Sequence, residues 1–186
     1  MEKRKNDWFG WIKALLIAVA VAYIVRTFFF IPIIVDGPSM LPTLKDRDQM
    51  IVNKFIYRVK EPERFDVVVF HASDKKDFIK RVIGLPGEHV SVEDNTLFID
   101  QQPVEEPFLK EQKANMKPYQ ILTEDFTLEQ LPGGYSQIPD GYVLVLGDNR
   151  GNSVDSRSIG LISMDQIVGR TSTIYWPIER MQVIGK

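Results

Sequence analysis

The stretch FIKRVIGLPG, residues 78–87, indicates how most of this chain folds. Its first seven residues have the composition of a strand, and the Leu-Pro-Gly sequence that follows is typical of a turn. Because successive side chains of a strand point to opposite faces, Lys80 shares a face with Phe78 and Val82. Arg81 falls on the other face. One face of this strand must therefore carry a lysine among apolar neighbours.

Short runs of the same kind follow one another after residue 35 and are separated by turn residues. The run HVSVEDNTLFIDQQPV, residues 89–104, predicts a hairpin that turns at Glu93–Asn95. We therefore expect a mainly β domain. Its predicted strands are Met50–Asn53, Asp66–His71, Phe78–Gly84, His89–Glu93, Thr96–Ile99, Tyr142–Leu146 and Val168–Tyr175.

Two stretches depart from this pattern. SMDQ, Ser163–Gln166, matches a capping box and predicts one short helical turn. Residues 105–137 contain Pro107, Pro118 and Pro132 and have no sustained periodicity, so we predict an irregular insertion there. The sequence has no internal repeat, which argues against a propeller or a solenoid.

Residues 8–35 are almost wholly apolar, and Lys13 and Arg26 are the two charges within them. A helix that spans a bilayer needs about 20 residues. Residues 9–30 supply this length if the two charged side chains reach opposite interfaces. We therefore predict a single transmembrane anchor over residues 9–30.

The charges before this segment predict its orientation. Lys3, Arg4 and Lys5 precede it, and positive residues favour the cytoplasmic side of a membrane. Residues 1–8 are thus expected in the cytoplasm, and residues 31–186 are expected to form one extracytoplasmic domain.

A cleavable signal peptide is the alternative for the same segment. Small residues at Ala18, Ala20 and Ala22 fit the outline of a cleavage site. Cleavage after Ala22 would leave YIVRTFFFIPIIV as an exposed apolar start of the mature protein. A retained anchor is therefore the favoured interpretation.

The composition argues against several classes of function. With 186 residues, 44% hydrophobic and 26% charged, the chain can bury one sizeable core, which favours a single domain with an appendage. A net charge of −2 provides no basic face for nucleic acid. The chain has no cysteine, so it has no disulfides or thiolate chemistry, and His71 and His89 are too few for a three-histidine zinc site. We expect no metal and no cofactor.

Ser39 lies in the stretch DGPSMLPTL, residues 36–44, directly after the apolar segment. Gly37 permits unusual backbone angles, and Pro38 and Pro42 stiffen the turn, so the turn can hold a hydroxyl in an exposed position. Taken alone, a serine in such a turn is more often structural than nucleophilic.

Lys80 is the candidate base. An unperturbed lysine has a pKa of about 10.4 and is almost fully protonated at neutral pH. Burial lowers the pKa because it disfavours the charged form, and the neutral amine can then accept a proton. Arg81 cannot do this, since a guanidinium stays charged. The alternative is that Lys80 lies on a wet face with its amine in solvent.

The loop GDNRGNSVDSR, residues 147–157, is the third candidate region. Asp155 can pair with Arg157 or with Arg150, and Ser153 can donate a hydrogen bond to a neutral amine. A loop of this composition is also compatible with an ordinary hydrophilic turn. The co-occurrence of the three regions beyond an apolar segment is more specific than any one of them.

Four ordered motifs of the chain resemble those of bacterial type I signal peptidases in their compact, Gram-positive form. These motifs are GPSMLPTL, RFDVVVF, KRVIGLPG and GDNRGNSVDSR, and the resemblance extends from the apolar segment to the end of the chain. Members of this family are membrane-anchored serine endopeptidases that remove signal peptides from exported proteins. The resemblance implies a largely antiparallel β fold, related to that of the self-cleaving repressors, with an apolar surface near the catalytic cleft that meets the membrane.

The resemblance also implies roles for the candidate residues. Ser39 would be the nucleophile and Lys80 the general base, and the pair would act through an acyl-enzyme without a cofactor. Ser153 would orient the lysine, while Asp155 and Arg157 would form an ion pair. The residues that would support the pair are Asp148, Ser153, Asp155 and Arg157.

The chain departs from the family pattern at two positions. Gly37 stands where some members have a serine whose hydroxyl contributes to the oxyanion hole. The backbone N–H of Ser39, with another backbone amide, is left for that role. Phe65 stands where a glycine is often found.

The substrates that the resemblance implies are preproteins whose signal peptides end in small residues, Ala-x-Ala. They would be cut at the outer membrane–water interface by a single-pass protein of the cell membrane. The lipid bilayer and the secretion translocon are the further partners implied by this location, and no nucleic acid is expected.

Three other functions compete with this interpretation. A Ser–His–Asp hydrolase would need Ser39 together with His71 or His89. A self-cleaving repressor would also use a serine and a lysine, but it would need a basic DNA-binding domain. A membrane-anchored binding or assembly module would have no catalytic activity.

Overall fold

The structure is a computed structural model that describes residues 8–73 and 76–185, with the side chains of residues 24–28 excepted. Residues 1–7 of the predicted cytoplasmic segment, with Lys3, Arg4 and Lys5, lie outside the described residues. The predicted position of the Arg26 side chain at an interface also lies outside them.

Three α-helices and twelve strands make up the regular structure of the described residues. The helices are α1 (Trp8–Phe28), α2 (Lys110–Ala114) and α3 (Ser156–Ile159). The strands are β1 (Phe30–Ile34), β2 (Gln49–Asn53), β3 (Val67–Ser73), β4 (Lys76–Gly84), β5 (Val90–Glu93), β6 (Thr96–Ile99), β7 (Gln102–Val104), β8 (Phe126–Thr127), β9 (Tyr142–Leu146), β10 (Ile162–Ser163), β11 (Ile167–Trp176) and β12 (Gln182–Val183).

The strands form two sheets in which each pairing is antiparallel. The larger sheet has the order β1-β2-β11-β3-β4-β9-β10, and β12 pairs with β11. The smaller sheet has the order β7-β6-β5-β8. These sheets confirm the prediction of a mainly β, largely antiparallel domain.

The strand β4 is an inner strand of the larger sheet, between β3 and β9. The alternation read from the sequence is present, but neither face of the strand is open to solvent around its centre. Lys80 is 3% exposed and Arg81 is fully buried. The alternative that places Lys80 on a wet face is therefore wrong, because β4 is covered on both sides.

The turn that carries Ser39 is fixed by apolar anchors on either side of it. Val35, Met40 and Leu44 are buried in one cluster with Met50 of β2. Burying a side chain of this size stabilises the folded state by roughly 1.5–3 kcal/mol. These buried side chains pack against the larger sheet and hold the turn at a defined position, although the turn itself pairs with no strand.

The apolar segment near the N-terminus divides into two elements. The helix α1 ends at Phe28, and the chain continues as β1, which pairs with β2. Three isoleucines and Pro32 suit an edge strand better than a helix, because β-branched residues favour strands and proline is tolerated at a sheet edge. The predicted anchor over 9–30 therefore extends too far at its end, since Phe30 belongs to β1.

Within the residues that the structure describes, no helix meets the length and hydropathy needed to cross a bilayer. The predicted transmembrane anchor is not confirmed by this finding.

Residues 105–137 are more regular than predicted. They contain α2, the short strand β8 and two 3₁₀ turns, Pro107–Leu109 and Leu128–Gln130. Through β8, which pairs with β5, this segment completes the smaller sheet. The predicted turn at Ser163–Gln166 is confirmed as a 3₁₀ turn with a capping box.

Candidate active site

Ser39 and Lys80 are in direct contact. The Nζ atom of Lys80 donates a hydrogen bond of 2.8 Å to the Oγ atom of Ser39, and a second one of 3.0 Å to the carbonyl oxygen of Ile79. The lysine comes from the centre of β4, and the serine comes from the turn after β1. The fold therefore brings together the two residues that the sequence singled out as nucleophile and base.

The environment of Lys80 favours its neutral form. Burial is the main cause, and it lowers the pKa of the amine from 10.5 to about 8. The carboxylates of Asp155 and Asp148 act in the opposite direction, but burial outweighs them. With a pKa of about 8, roughly one lysine in ten is neutral at pH 7. A proton acceptor beside the hydroxyl of Ser39 is thus populated near neutral pH.

The backbone of the Ser39 turn leaves one amide available. Gly37 has φ +91°, a conformation that favours glycine, and its N–H donates to Oδ1 of Asp46 at 3.0 Å. The N–H of Ser39 has no acceptor among the described residues. Of these two amides, the one on Ser39 can therefore receive an oxyanion, while that on Gly37 is already engaged.

The loop of residues 147–157 contains the predicted ion pair of Asp155 and Arg157. Arg157 donates from Nε and Nη2 to the two carboxylate oxygens of Asp155, each at 2.8 Å. Burial by itself would raise the pKa of Asp155, but the guanidinium of Arg157, together with the N–H of Gly147 and the hydroxyl of Ser153, outweighs burial and lowers that pKa. Asp155 also accepts the backbone N–H of Gly147 at 3.0 Å. The structure thus selects Arg157, rather than Arg150, as the partner of Asp155.

Asp148 pairs with Arg81, a partner that the sequence analysis did not identify. Two hydrogen bonds, of 2.9 and 2.7 Å, join the guanidinium to the carboxylate, and both side chains are fully buried. The hydroxyl of Thr43 donates a third, at 2.6 Å, to the same carboxylate. This pair ties the strand β4 to the start of the loop and to the turn that follows Ser39.

Ser153 is close to the site but does not make the predicted contact. Its Oγ atom is buried without a hydrogen bond of normal geometry among the described residues, and its hydroxyl helps to lower the pKa of the Asp155 carboxyl group. Lys80 instead bonds to Ser39 and to a carbonyl of its own strand. The orienting role of Ser153 therefore remains a prediction.

Two residues of the loop that were not predicted touch the Ser39 turn. Asn149 donates its backbone N–H to the carbonyl of Ser39 at 3.0 Å and its side chain to the carbonyl of Pro38 at 3.1 Å. A Cβ atom on Gly147 would lie 2.5 Å from the Ser39 carbonyl oxygen and 2.2 Å from the Oγ of Ser153. The sequence signal for Gly147 is a glycine at the end of a buried strand, which often marks a close backbone approach.

Phe65, noted above as a departure from the pattern that the chain resembles, has φ +70°. A bulky residue in this region of conformational space is strained, which explains why glycine suits the position. The Phe65 ring packs edge-on against Phe108, with ring centroids 5.2 Å apart, and its carbonyl accepts from Arg81 at 3.0 Å. These contacts hold the strained residue in place.

Both histidines have other partners. His71 pairs with Asp77 at 2.6 Å, and His89 pairs with Glu129 at 3.2 Å. The side-chain partner of Ser39 is Lys80. The arrangement therefore gives no support to the Ser–His–Asp alternative. In the ranges 8–73 and 76–185, no group of three or more potential ligands is placed to hold a metal ion.

Ser39 and Lys80 line an open cleft of about 490 Å³. The cleft runs from the end of β1 to the first half of β4, and Asn152 and Val154 also line it. Most of its wall is apolar, so it suits an extended chain with small or apolar side chains. The apolar wall includes Ile33, Val35, Val69, Phe78, Ile79 and Val154.

Similarity to known proteins agrees with this geometry. The family described as "Signal peptidase, peptidase S26" matches residues 8–176. A signal peptidase I of Bacillus caldolyticus is 41% identical over 179 residues, which are 96% of this chain and 94% of that relative. Signal peptidase I T of Bacillus subtilis is 39% identical over 97% of this chain and 92% of its own length.

A Staphylococcus aureus signal peptidase IB is 39% identical over 96% of this chain and 94% of its own length. A crystal structure of a signal peptidase I from Enterococcus faecalis has a TM-score of 0.56 and 38% identity, and the match covers 60% of this chain and 97% of that one. The chain therefore belongs to the signal peptidase family, peptidase S26, and is a serine peptidase.

Proposed function

We propose that this peptidase removes N-terminal signal peptides from exported preproteins after small-residue, Ala-x-Ala sites, through an acyl-enzyme formed by Ser39 and Lys80. The observation that carries the proposal is the 2.8 Å hydrogen bond between the Lys80 amine and the Ser39 hydroxyl. Burial gives that amine a pKa of about 8. Acyl transfer by a serine requires a general base beside the hydroxyl, and the pKa of that base should lie near the working pH.

The chemical steps use groups of this chain alone. Neutral Lys80 accepts the hydroxyl proton as Ser39 Oγ attacks the scissile carbonyl carbon. The oxyanion forms beside the free N–H of Ser39, and Lys80 then gives its proton to the leaving amine. Water next attacks the acyl carbon while Lys80 accepts its proton. The bond between that carbon and Ser39 Oγ then breaks, and Lys80 returns the proton to the serine oxygen.

The residues around the pair have supporting roles in this proposal. The Asp155–Arg157 pair holds the loop through the amide of Gly147, and the Asp148–Arg81 pair holds β4 against the loop. Ser153, whose hydroxyl is buried beside Gly147, orients the lysine once the substrate excludes water. Each role acts on the distance between Ser39 and Lys80.

The preprotein binds as an extended strand in the apolar cleft. Such a segment can pair its backbone with an exposed strand edge and insert alternate side chains into shallow pockets. The cleft lies between the end of β1 and β4, with Ile33 and Phe78 on its wall. Small side chains before the scissile bond allow the carbonyl to come close to Ser39.

The membrane location is part of the proposal. Residues 9–28, within α1, contribute a single anchor, with residues 1–8 in the cytoplasm and the peptidase domain outside. The support comes from the apolar sequence and from the exposure of large apolar side chains on α1, which is costly in water. Trp11 is 78% exposed and Leu15 is 65% exposed. The bilayer and the secretion translocon are the partners that this location gives, beside the preprotein itself.

The test is the processing of an Ala-x-Ala preprotein in membranes that carry the full chain. Ser39→Ala and Lys80→Ala are each expected to abolish cleavage. Ser136→Ala and Lys110→Ala are matched controls at exposed positions outside the cleft and should cleave like the unaltered chain. Cleavage at the unaltered rate by Ser39→Ala or Lys80→Ala would show that the dyad is wrong, and loss of cleavage in a His71→Ala, His89→Ala double variant would favour a triad.

A further inference from the structure

The segment of residues 105–137 contacts the loop of the candidate site through a buried ion pair. Glu106, just before the first 3₁₀ turn of the segment, accepts a hydrogen bond from Nη2 of Arg150, and both side chains are 1% exposed. Lys113 of α2 lies at 3.2 Å from the second carboxylate oxygen. Arg150 belongs to the loop 147–157, although its charge partner is more than forty residues away in sequence.

The guanidinium of Arg150 fixes the loop at the point that touches Ser39. Its Nε donates to the carbonyl of Gly147 at 3.1 Å, and its Nη1 donates to the hydroxyl of Thr123 at 3.2 Å. A guanidinium cannot lose its charge, so in a buried position it depends on a carboxylate partner. Among the described residues, Glu106 is the carboxylate in contact with Arg150.

Gly147 is held from both sides and transmits this position to the nucleophile. Its carbonyl is bonded to Arg150 and its N–H to Asp155, so its peptide groups have little freedom to move. Its Cα lies so close to the Ser39 carbonyl that a Cβ atom would be 2.5 Å from that oxygen. A shift of Gly147 would therefore shift the Ser39 turn relative to Lys80.

We propose that Glu106 is a positioning residue for the peptidase reaction, which acts through Arg150 and Gly147 on the placement of Ser39. This gives the 105–137 segment a function in catalysis, in addition to its contribution to the smaller sheet. The proposal rests on the proposed function, because it assumes that Ser39 is the nucleophile. Glu106 touches neither Ser39 nor Lys80 and acts only through its partners.

The first test compares Glu106→Gln with Glu111→Gln in full-length protein in detergent, with a preprotein as substrate. Glu111 lies in the same segment, on α2, and its side chain is exposed. Glu106→Gln should lower kcat by roughly tenfold to a hundredfold, the scale expected when reacting groups move by up to about 1 Å, while KM changes little. Glu111→Gln should behave like the unaltered chain. An unaltered kcat for a folded Glu106→Gln would overturn the proposal.

A second variant separates positioning from loss of stability. Glu106→Gln, Arg150→Met removes the unpaired charge along with its partner, so the melting temperature should recover relative to Glu106→Gln alone. The double variant has no Arg150 side chain to donate a hydrogen bond to the carbonyl of Gly147, so kcat should stay low. Recovery of both kcat and melting temperature would show that Glu106 has only a structural role and would refute the proposal, even if the single variant does not fold.

The outcomes also distinguish this proposal from the one on which it rests. If Ser39→Ala cleaves the preprotein at the unaltered rate, the proposed function fails. If Ser39→Ala is inactive while the folded Glu106→Gln variant retains full kcat, the role of Glu106 alone is wrong.

Discussion

Arg81 and Asp148 form a doubly hydrogen-bonded ion pair in which neither side chain is exposed to solvent. Arg81 directly follows the candidate base Lys80 along β4, on the opposite face of the strand. The ring of Phe108 covers the guanidinium, with 4.0 Å between the ring centroid and Cζ. The residue next to the base is thus fixed by charge and by packing, which limits the movement of the strand at Lys80.

We predict that Asp148→Ala strongly destabilises the fold. The change leaves the guanidinium of Arg81 buried without its carboxylate, and the loss of one partner of a buried pair typically costs about 3–5 kcal/mol. Denaturant unfolding of the detergent-solubilised chain measures the free energy of unfolding. Asp140→Ala, at an exposed position, should change it by about 0.5 kcal/mol or less. Equal effects of the two substitutions would contradict a structural role for the buried pair.

The activity of the enzyme is predicted to rise with pH up to about 8. The reaction needs neutral Lys80, and burial lowers the pKa of this amine to about 8. Values of kcat/KM measured between pH 6 and pH 10 should increase tenfold per pH unit on the acid side and level off above about 8. The double variant His71→Ala, His89→Ala should keep the same profile. A profile that is flat from pH 6 upward, or that follows the histidines, would contradict Lys80 as the base.

The stability of the fold should also rise at alkaline pH because of Lys80. The unfolded chain holds this proton up to a pKa near 10.5, whereas the folded chain releases it at about 8. Between these two values the unfolded state binds more protons, so the free energy of unfolding increases with pH. Below about 8 both states are protonated, and the folded state bears the full cost of the buried charge.

Lys80→Met isolates this contribution of the buried amine. Denaturation midpoints at pH 8 and pH 10 give the rise in stability for each protein, and the rise should be smaller in Lys80→Met than in the unaltered chain. Lys110→Met removes an exposed lysine and should leave the rise unchanged. An identical rise in Lys80→Met would mean that other groups cause it.

Much of the larger sheet could be predicted from the sequence, because its strands show local alternation and end at clear turns. Lys80 and Ser39 were also identifiable, the first from its place in an apolar strand and the second from its turn. The boundary between the helix α1 and the strand β1 within the apolar stretch before residue 35 was harder to predict. The hydropathy of this stretch is equally high before and after residue 28, so hydropathy does not mark the end of the helix, although the β-branched residues and Pro32 of β1 favour the strand that pairs with β2.

The missed features depend on contacts between residues far apart in sequence. Asp148 and Arg81 are 67 positions apart, and Glu106 and Arg150 are 44 positions apart. Local periodicity carries no information on such pairs, so Arg81 could not be identified as the partner of Asp148 from the sequence. The regular elements within residues 105–137 were missed for the same reason, since the two residues of β8 are stabilised by pairing with β5 and not by local propensity.

Gly147 is the position at which the site has least room. A side chain there would meet the carbonyl oxygen of Ser39 at 2.5 Å and the hydroxyl of Ser153 at 2.2 Å. The carbonyl oxygen of Ser39 is a backbone atom, so it cannot avoid the clash by a change of side-chain rotamer. Gly151 lies in the same loop, and a Cβ atom there would meet nothing within 4 Å. The two glycines thus provide a matched pair for substitution by alanine.

We predict that Gly147→Ala lowers kcat by about a hundredfold, because the added methyl group pushes the Ser39 turn away from Lys80 and small misplacements of reacting groups have effects of this size. Gly151→Ala should retain kcat within about twofold, since it adds the same methyl group to the same loop without a contact. Preprotein cleavage under saturating substrate measures both. Because the clash acts on the position of the nucleophile, the rate of acyl-enzyme formation should fall by the same factor as kcat in Gly147→Ala. Equal activities of the two alanine variants would show that the approach of Gly147 to Ser39 does not control the reaction.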